Sequence, residues 1–296
     1  MGRGQDGTQE DKTPPQPVSR LQSYLHGGTS SLLSTLPTIA VFPVYKTVFR
    51  QQLHTISIIE AVAQLKKEGA LKLYRGVTPP LLMRTLNGAL LHGLQDTLLR
   101  KLSSTSSAKV VPLSALPAVA GLAAGLVEAL VFTPFERVQN MLQNGQNDRS
   151  LPTLKTVLVR LSSEELALGY YRALLPIMAR NSLGCCFYFG LKGPLRALGE
   201  VQGLHPIASS FLSGALPSMV ISFSLYPLSV LVATMQAGAG GQEAGTVRAC
   251  WRKLWTSRQR SLALLYRGGS LVILRSCITW GITTAIYDQQ QKRASR

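Results

Sequence analysis

Apolar residues run along this chain in blocks too long for ordinary buried helices. From Leu21 to Tyr45 there is no Lys, Arg, Asp or Glu, and from Pro206 to Gln242 there is none either. Both blocks exceed the roughly 20 residues a helix needs to cross hydrocarbon. From Val110 to Phe135 the only ionisable residue is Glu128, which gives a third span with one costly exception. Three weaker blocks, Gly76–Arg100, Leu174–Arg196 and Gly269–Tyr287, each enclose an arginine: Arg84, Arg180 and Arg275. The pattern predicts an all-helical membrane protein with three strong and three weaker transmembrane helices. Between strong and weak blocks, Ile58, Ile59, Val62 and Leu65 recur at helical spacing among polar residues. Such a segment suits a helix lying at the membrane interface, and Leu154–Leu161 and Thr246–Trp255 are its counterparts.

The alternation conceals a threefold repeat. Pro43, Pro134 and Pro227 close the strong blocks, 91 and 93 residues apart, and each is followed nine residues later by a glutamine, Gln52, Gln143 or Gln236. Small residues precede them in pairs four apart: Ser30 and Ser34, Gly121 and Gly125, Gly214 and Ser218. Such pairs share one helix face and let neighbouring helices approach closely in a bilayer. The prolines, each lacking an amide donor, should kink their helices. An aromatic–basic step follows in every repeat, at Tyr74-Arg75-Gly76, Tyr171-Arg172-Ala173 and Tyr266-Arg267-Gly268. An arginine comes nine residues after Arg75, at Arg84, and eight after Arg172 and Arg267, at Arg180 and Arg275; the strict eighth residue of the first repeat is Met83. The boundaries this sets are a disordered tail over 1–20 and repeats over 21–110, 111–203 and 204–292.

Charge refines the picture. Only 15% of the 296 residues are charged, yet the net charge is +17. Charge so scarce and so one-signed suits a membrane with anionic lipid, including cardiolipin at helix ends, better than nucleic acid, because no basic patch is interleaved with aromatics. The first twenty residues lack both a signal core and the Arg-rich, acid-poor character of a transit peptide. Cys185, Cys186, Cys250 and Cys277 have no metal or disulfide spacing, so the adjacent pair reads as packing, and His26, His54, His92 and His205 are scattered. The Gly-rich run from Gly238 to Gly241 follows no strand and reads as a linker. No nucleophile triad or carboxylate pair emerges, so no enzyme chemistry, cofactor or metal site is expected.

The repeated Pro, Gln, Tyr-Arg and Arg series resembles the mitochondrial carrier family over about residues 21–292. Its signature is Pro-x-Asp/Glu-x-x-Lys/Arg with a later aromatic-Arg-Gly step. The resemblance implies six transmembrane helices in three pseudo-symmetric repeats around a central cavity, a multi-pass monomer of the mitochondrial inner membrane, and alternating access between a matrix and a cytoplasmic gate. Phe49-Arg50-Gln51-Gln52-Leu53, Thr133-Pro134-Phe135-Glu136-Arg137-Val138-Gln139, Arg180-Asn181, Phe189-Gly190-Leu191-Lys192-Gly193-Pro194 and Trp280-Gly281-Ile282 are similar to the carrier triple repeat subgroup, which includes the mitochondrial NAD transporter.

The matrix signature is depleted. Its acidic position holds Tyr45, Glu136 and Ser229 and its basic position Val48, Gln139 and Val232, so the family's ring of ion pairs has one member in six, with Gln52, Gln143 and Gln236 left to brace the closure. At the cytoplasmic end Asp96, Lys192 and Asp288, with Arg100 nearby, supply more charge. A depleted gate keeps open a non-transporting scaffold or regulator on a carrier fold, and a carrier of a different small anion.

A charge inside a span costs roughly 2.5 to 3.5 kcal/mol on insertion scales, so it faces water, a partner or a ligand. Arg84, Arg180 and Arg275 at equivalent depths are expected to form a cationic ring for phosphate or carboxylate oxygens. Glu128 should pair with one of these arginines or meet a cationic part of the substrate, and Asn181 offers amide hydrogen bonds. An NAD-type solute presents both a pyrophosphate and a positively charged nicotinamide ring.

Overall fold

A computed structural model describes residues 20–294 except 41, 55, 70–73, 75–76, 105–111, 148, 166–168 and 239–245; for 20, 34–40, 68, 78–80, 84–85, 113 and 294 it describes the backbone alone. The tail, the Arg75-Gly76 step and Ala239-Gly240-Gly241 of the Gly-rich run therefore lie outside the described residues. So does the side chain of Arg84.

Among the described residues the only regular structure is helical. The first third carries α1 (Arg20–Ala40), α2 (Phe42–His54), α3 (Ile58–Glu68) and α4 (Thr78–Ser104). The middle third carries α5 (Leu116–Gln143), α6 (Leu154–Ser162) and α7 (Leu174–Val201). The last third carries α8 (Pro206–Ser224), α9 (Tyr226–Ala237), α10 (Val247–Ser257), α11 (Leu262–Leu265) and α12 (Gly269–Ala294).

The three surface helices begin where the sequence supplies caps. Ser57 and Glu60 form a reciprocal capping box on α3, Thr153 and Thr156 do the same on α6, and the Thr246 hydroxyl accepts the Ala249 amide on α10. Outside the membrane, the Ser57 bonds hold the Glu60 carboxyl below its ordinary value.

The prolines do not act alike. Pro227 is the second residue of α9, after a break at Leu225 that separates it from α8, a position where a missing amide costs nothing. Pro43 is likewise the second residue of α2. Pro134, by contrast, lies inside the unbroken α5. Polarity also departs from expectation: α5, α8 and α12 are the helices long and apolar enough to cross a membrane by length and composition, so the last block, read as weak, outranks the first. The first block is charge-free but rich in Ser, Thr and Gly, and a charge-free stretch is not the same as an apolar one.

The long helices pack in a closed order. The six long helices pair as α1 on α4, α5 on α7 and α8 on α12; neighbours then join through α4–α5, α7–α8 and α1–α12. Glycine permits the tight crossings. A Cβ at Gly125 would lie 2.6 Å from the Asn181 carbonyl oxygen, one at Gly121 2.6 Å from that of Cys185, and one at Gly214 2.6 Å from that of Trp280. In the first third the close approach falls at Gly27 and Gly88, one turn from the expected Ser30, whose hydroxyl bonds the Gly27 carbonyl instead. The outside is apolar, with Leu86, Leu130, Phe187, Val220 and Leu274 all more than 40% exposed, while Ser30, Ser213, Thr284 and Asp288 are buried. An apolar belt over a polar interior is the inverse of a water-soluble bundle and matches a lipid surround.

Candidate functional site

Two adjoining hollows open among these helices, of about 170 and 260 Å³. They share Leu91, Arg275, Ser276 and Trp280 as a common wall. The larger holds Glu128, Arg180 and Asn181, so four of the five residues expected to meet substrate border one continuous space. Met83 lines the smaller hollow, while the side chain of Arg84 lies outside the described residues.

The partners of these charges differ from those expected. Arg180 grips Glu136 with both ends of its guanidinium, Nη1 to Oε1 at 2.9 Å and Nη2 to Oε2 at 2.8 Å, while its Nε donates to the Asn181 side-chain oxygen at 3.1 Å. The bidentate pair is the strong form of an Arg–carboxylate contact. It joins α7 to the one surviving acid of the matrix signature, so Arg180 is engaged and not an open member of a ring. Arg275 stands with its Cζ 4.5 Å from the centre of the Tyr45 ring. Tyr45 occupies the first-repeat acidic position of the signature, and its aromatic face takes the place of a carboxylate.

Glu128 pairs with no arginine among the described residues. Its Oε1 accepts the Asn87 amide at 2.7 Å, and its Oε2 accepts the Cys185 thiol at 3.3 Å. Cys185 was expected merely to pack, and it is a donor here because α5 and α7 approach at Gly121 and Gly125. Asn87 was not foreseen at all. It lies twelve residues after Arg75, and the residues twelve after Arg172 and Arg267 are Gly184 and Thr279, so no recurrence marks it.

At the matrix-facing end, as the resemblance orients it, amides and arginines replace the ion pairs. Arg137, fully buried, donates to the carbonyls of Gln236, Gly238 (2.9 Å) and Gly169 (3.3 Å). The Gln236 side chain accepts from Asn140 at 2.7 Å and donates to the Arg172 carbonyl at 3.0 Å, while Asn144 and Asn147 both donate to the Ala237 carbonyl at 3.0 Å. Side chains around α5 thus cap the C-terminal end of α9, where cations and donors are favoured. Arg258 similarly donates to the Gln52 carbonyl near the end of α2. Gln143 is buried, and its Nε2 meets no partner among the described residues. Of the three glutamines, then, Gln236 braces through its side chain and Gln52 through its carbonyl.

The opposite end is ionic. Asp288, 3% exposed, accepts from Lys192 Nζ at 2.9 Å and from Arg196 Nη1 at 3.1 Å, tying α12 to α7. Asp96 accepts from Ser23 at 2.7 Å and from Arg100 at 3.1 Å, tying α4 to α1. Arg196 was missed because it follows Lys192 by one turn outside the signature spacing.

A helical membrane protein with a polar, arginine-bordered cavity between two separately bonded ends is built as a solute carrier. A family model described as "Mitochondrial carrier protein" matches residues 114–198 and 204–296, and the chain belongs to that family. It is a multi-pass protein of the mitochondrial inner membrane, and its family's activity is transport. It is 44% identical to human solute carrier family 25 member 53 over 277 residues, covering 92% of this chain and 88% of that one. It is 34% identical to the human mitochondrial nicotinamide adenine dinucleotide transporter SLC25A51 over 273 residues, 92% of this chain and 89% of that one. The mitochondrial arginine transporter BAC2 of Arabidopsis thaliana is 26% identical over 230 residues, 75% of this chain and 74% of that one.

Proposed function

We propose that this protein carries an anionic nucleotide-type solute, NAD or a close relative, by alternating access through six crossings in three repeats. The central observation is Glu128: a carboxylate on the cavity wall, bonded to neutral donors and ion-paired to no cation among the described residues, across a space that Arg180 and Arg275 also border. A buried carboxylate so placed attracts a cationic ring, while the guanidinium of Arg275, in no ion pair among the described residues, attracts phosphate oxygens. A substrate carrying both charges answers both. The relatives named as NAD transporters support the same reading. The protein works as a monomer with anionic lipid such as cardiolipin around it. The amides and arginines at the α5–α9 end serve as its matrix closure, which removes the main reason to regard it as a non-transporting scaffold. Reconstituted protein should take up labelled NAD in preference to ADP, and liposomes that accumulate neither would overturn the proposal.

A further inference from the structure

The smaller hollow differs in chemistry from the larger. Beside Trp280 its polar wall consists of Ser31, Asn87, Arg275, Ser276, Thr279 and Thr283, with no carboxylate. Two of its polar atoms are buried without a hydrogen-bond partner among the described residues: the side-chain oxygen of Asn87 and Nε of Arg275. The orientation of the Asn87 amide is fixed by its neighbour. A carboxylate oxygen only accepts, so Nδ2 faces Glu128 and the carbonyl oxygen must turn the other way. The residues lining the hollow therefore hold one unmet acceptor and one unmet donor just behind its surface. A native structure that leaves such groups unbonded pays for it, and a ligand that bonds them recovers that cost.

Phosphate does not fit that demand, because it offers acceptors alone and would face the Asn87 oxygen unfavourably. A flat heterocycle with an amino group beside a ring nitrogen fits both: its N–H donates to Asn87, and its ring nitrogen accepts from Arg275. Trp280, steadied by Tyr188 with ring centres 4.8 Å apart, supplies an aromatic face for stacking.

We infer that this hollow is a subsite for an aminopurine base, with Asn87 and the Nε of Arg275 reading its edge and Trp280 stacking on its plane, while the outer nitrogens of Arg275 and the Glu128 carboxylate attend to the charged remainder of the solute. This rests on the nucleotide-carrier reading above and assigns the selection of the base to a separate set of residues.

The test compares NAD with its deaminated analogue, nicotinamide hypoxanthine dinucleotide, as competitors of labelled NAD uptake into liposomes. The analogue replaces the amino donor by a carbonyl acceptor and turns the adjacent ring nitrogen from an acceptor into an N–H donor, so it fails both contacts. It should compete about tenfold or more worse than NAD. Asn87→Leu should narrow the gap between the two competitors, Trp280→Leu should weaken both alike by about tenfold, and Trp280→Phe should largely restore them. Equal competition by the two dinucleotides on the unaltered protein would overturn the subsite and leave the carrier reading standing. If the unaltered protein takes up no NAD, that reading falls instead. The subsite is then judged by thermal stabilisation of the purified protein: greater stabilisation by AMP than by IMP supports it, and equal or absent stabilisation refutes it.

Discussion

The guanidinium of Arg275 lies over the ring of Tyr45, with Cζ 4.5 Å from its centre. The signature position that elsewhere holds an acid here holds an aromatic face, and the arginine of the last span uses it. The contact joins α2 to α12 without the directional demand of an ion pair. Cation–π contacts are worth about 0.5 to 2 kcal/mol depending on desolvation. Tyr45→Phe should therefore retain uptake, whereas Tyr45→Leu should lower it severalfold and lower the melting temperature in detergent. Equal behaviour of the two variants would remove the ring from the mechanism.

Arg180 and Glu136 act as a unit. Each side chain is about one fifth exposed, at 20% and 19%, so part of the attraction is screened by water. Either Arg180→Gln or Glu136→Gln strands a charge and should cut uptake about tenfold or more. The double variant should be no worse than the poorer single one, since paired residues are not additive. Additive losses in the double variant would show that the two residues serve separate roles.

Glu128→Gln tests the charge in the cavity. The glutamine can keep an acceptor for Asn87 and loses the negative charge. Uptake of oxidised NAD should fall more than uptake of the reduced form, whose nicotinamide ring is uncharged. An equal fall for both would assign Glu128 to structure.

Asp288 should govern the ionic end. Removing its charge by Asp288→Asn leaves Lys192 and Arg196 facing each other around a site only 3% exposed. Breaking a buried pair costs about 3 to 5 kcal/mol, and here the partly exposed cations can turn toward water and reduce it. A clear drop in melting temperature is expected, and an unchanged value would count against a structural gate.

Gly125→Ala probes the helix crossing. Its methyl would lie 2.6 Å from a main-chain oxygen of α7, which cannot swing aside as a side-chain tip does. Overpacking of this kind costs about 1 to 3 kcal/mol. Gly193, which meets nothing within 4 Å, is the matched control, and its alanine variant should melt like the unaltered protein.

The features legible in the sequence were those that recur. Pro43, Pro134 and Pro227 located the strong blocks, and eight-residue spacing brought Arg180 and Arg275 to one cavity. What did not recur stayed hidden. Asn87 stands where the other repeats hold Gly184 and Thr279, and Arg137 lies beside Glu136 at a position the signature leaves blank. Partner choice was equally invisible: that Arg180 would take Glu136 and leave Glu128 to Asn87 depends on which faces of α5 and α7 meet. The first block is charge-free without being apolar, and among its described side chains Ser23, Ser30 and Ser31 are buried.

The end of α9 is held by side chains that donate to main-chain carbonyls, Arg137 to Gln236 and Gly238, Asn144 and Asn147 to Ala237. Carbonyl oxygens have no proton to lose or gain and attract no counterion cloud. A closure made from them neither titrates across the pH difference of an energised membrane nor weakens as salt rises. The two ends of this carrier therefore answer to different conditions: raising ionic strength loosens the bonds around Asp288 and leaves those around Ala237 as they were.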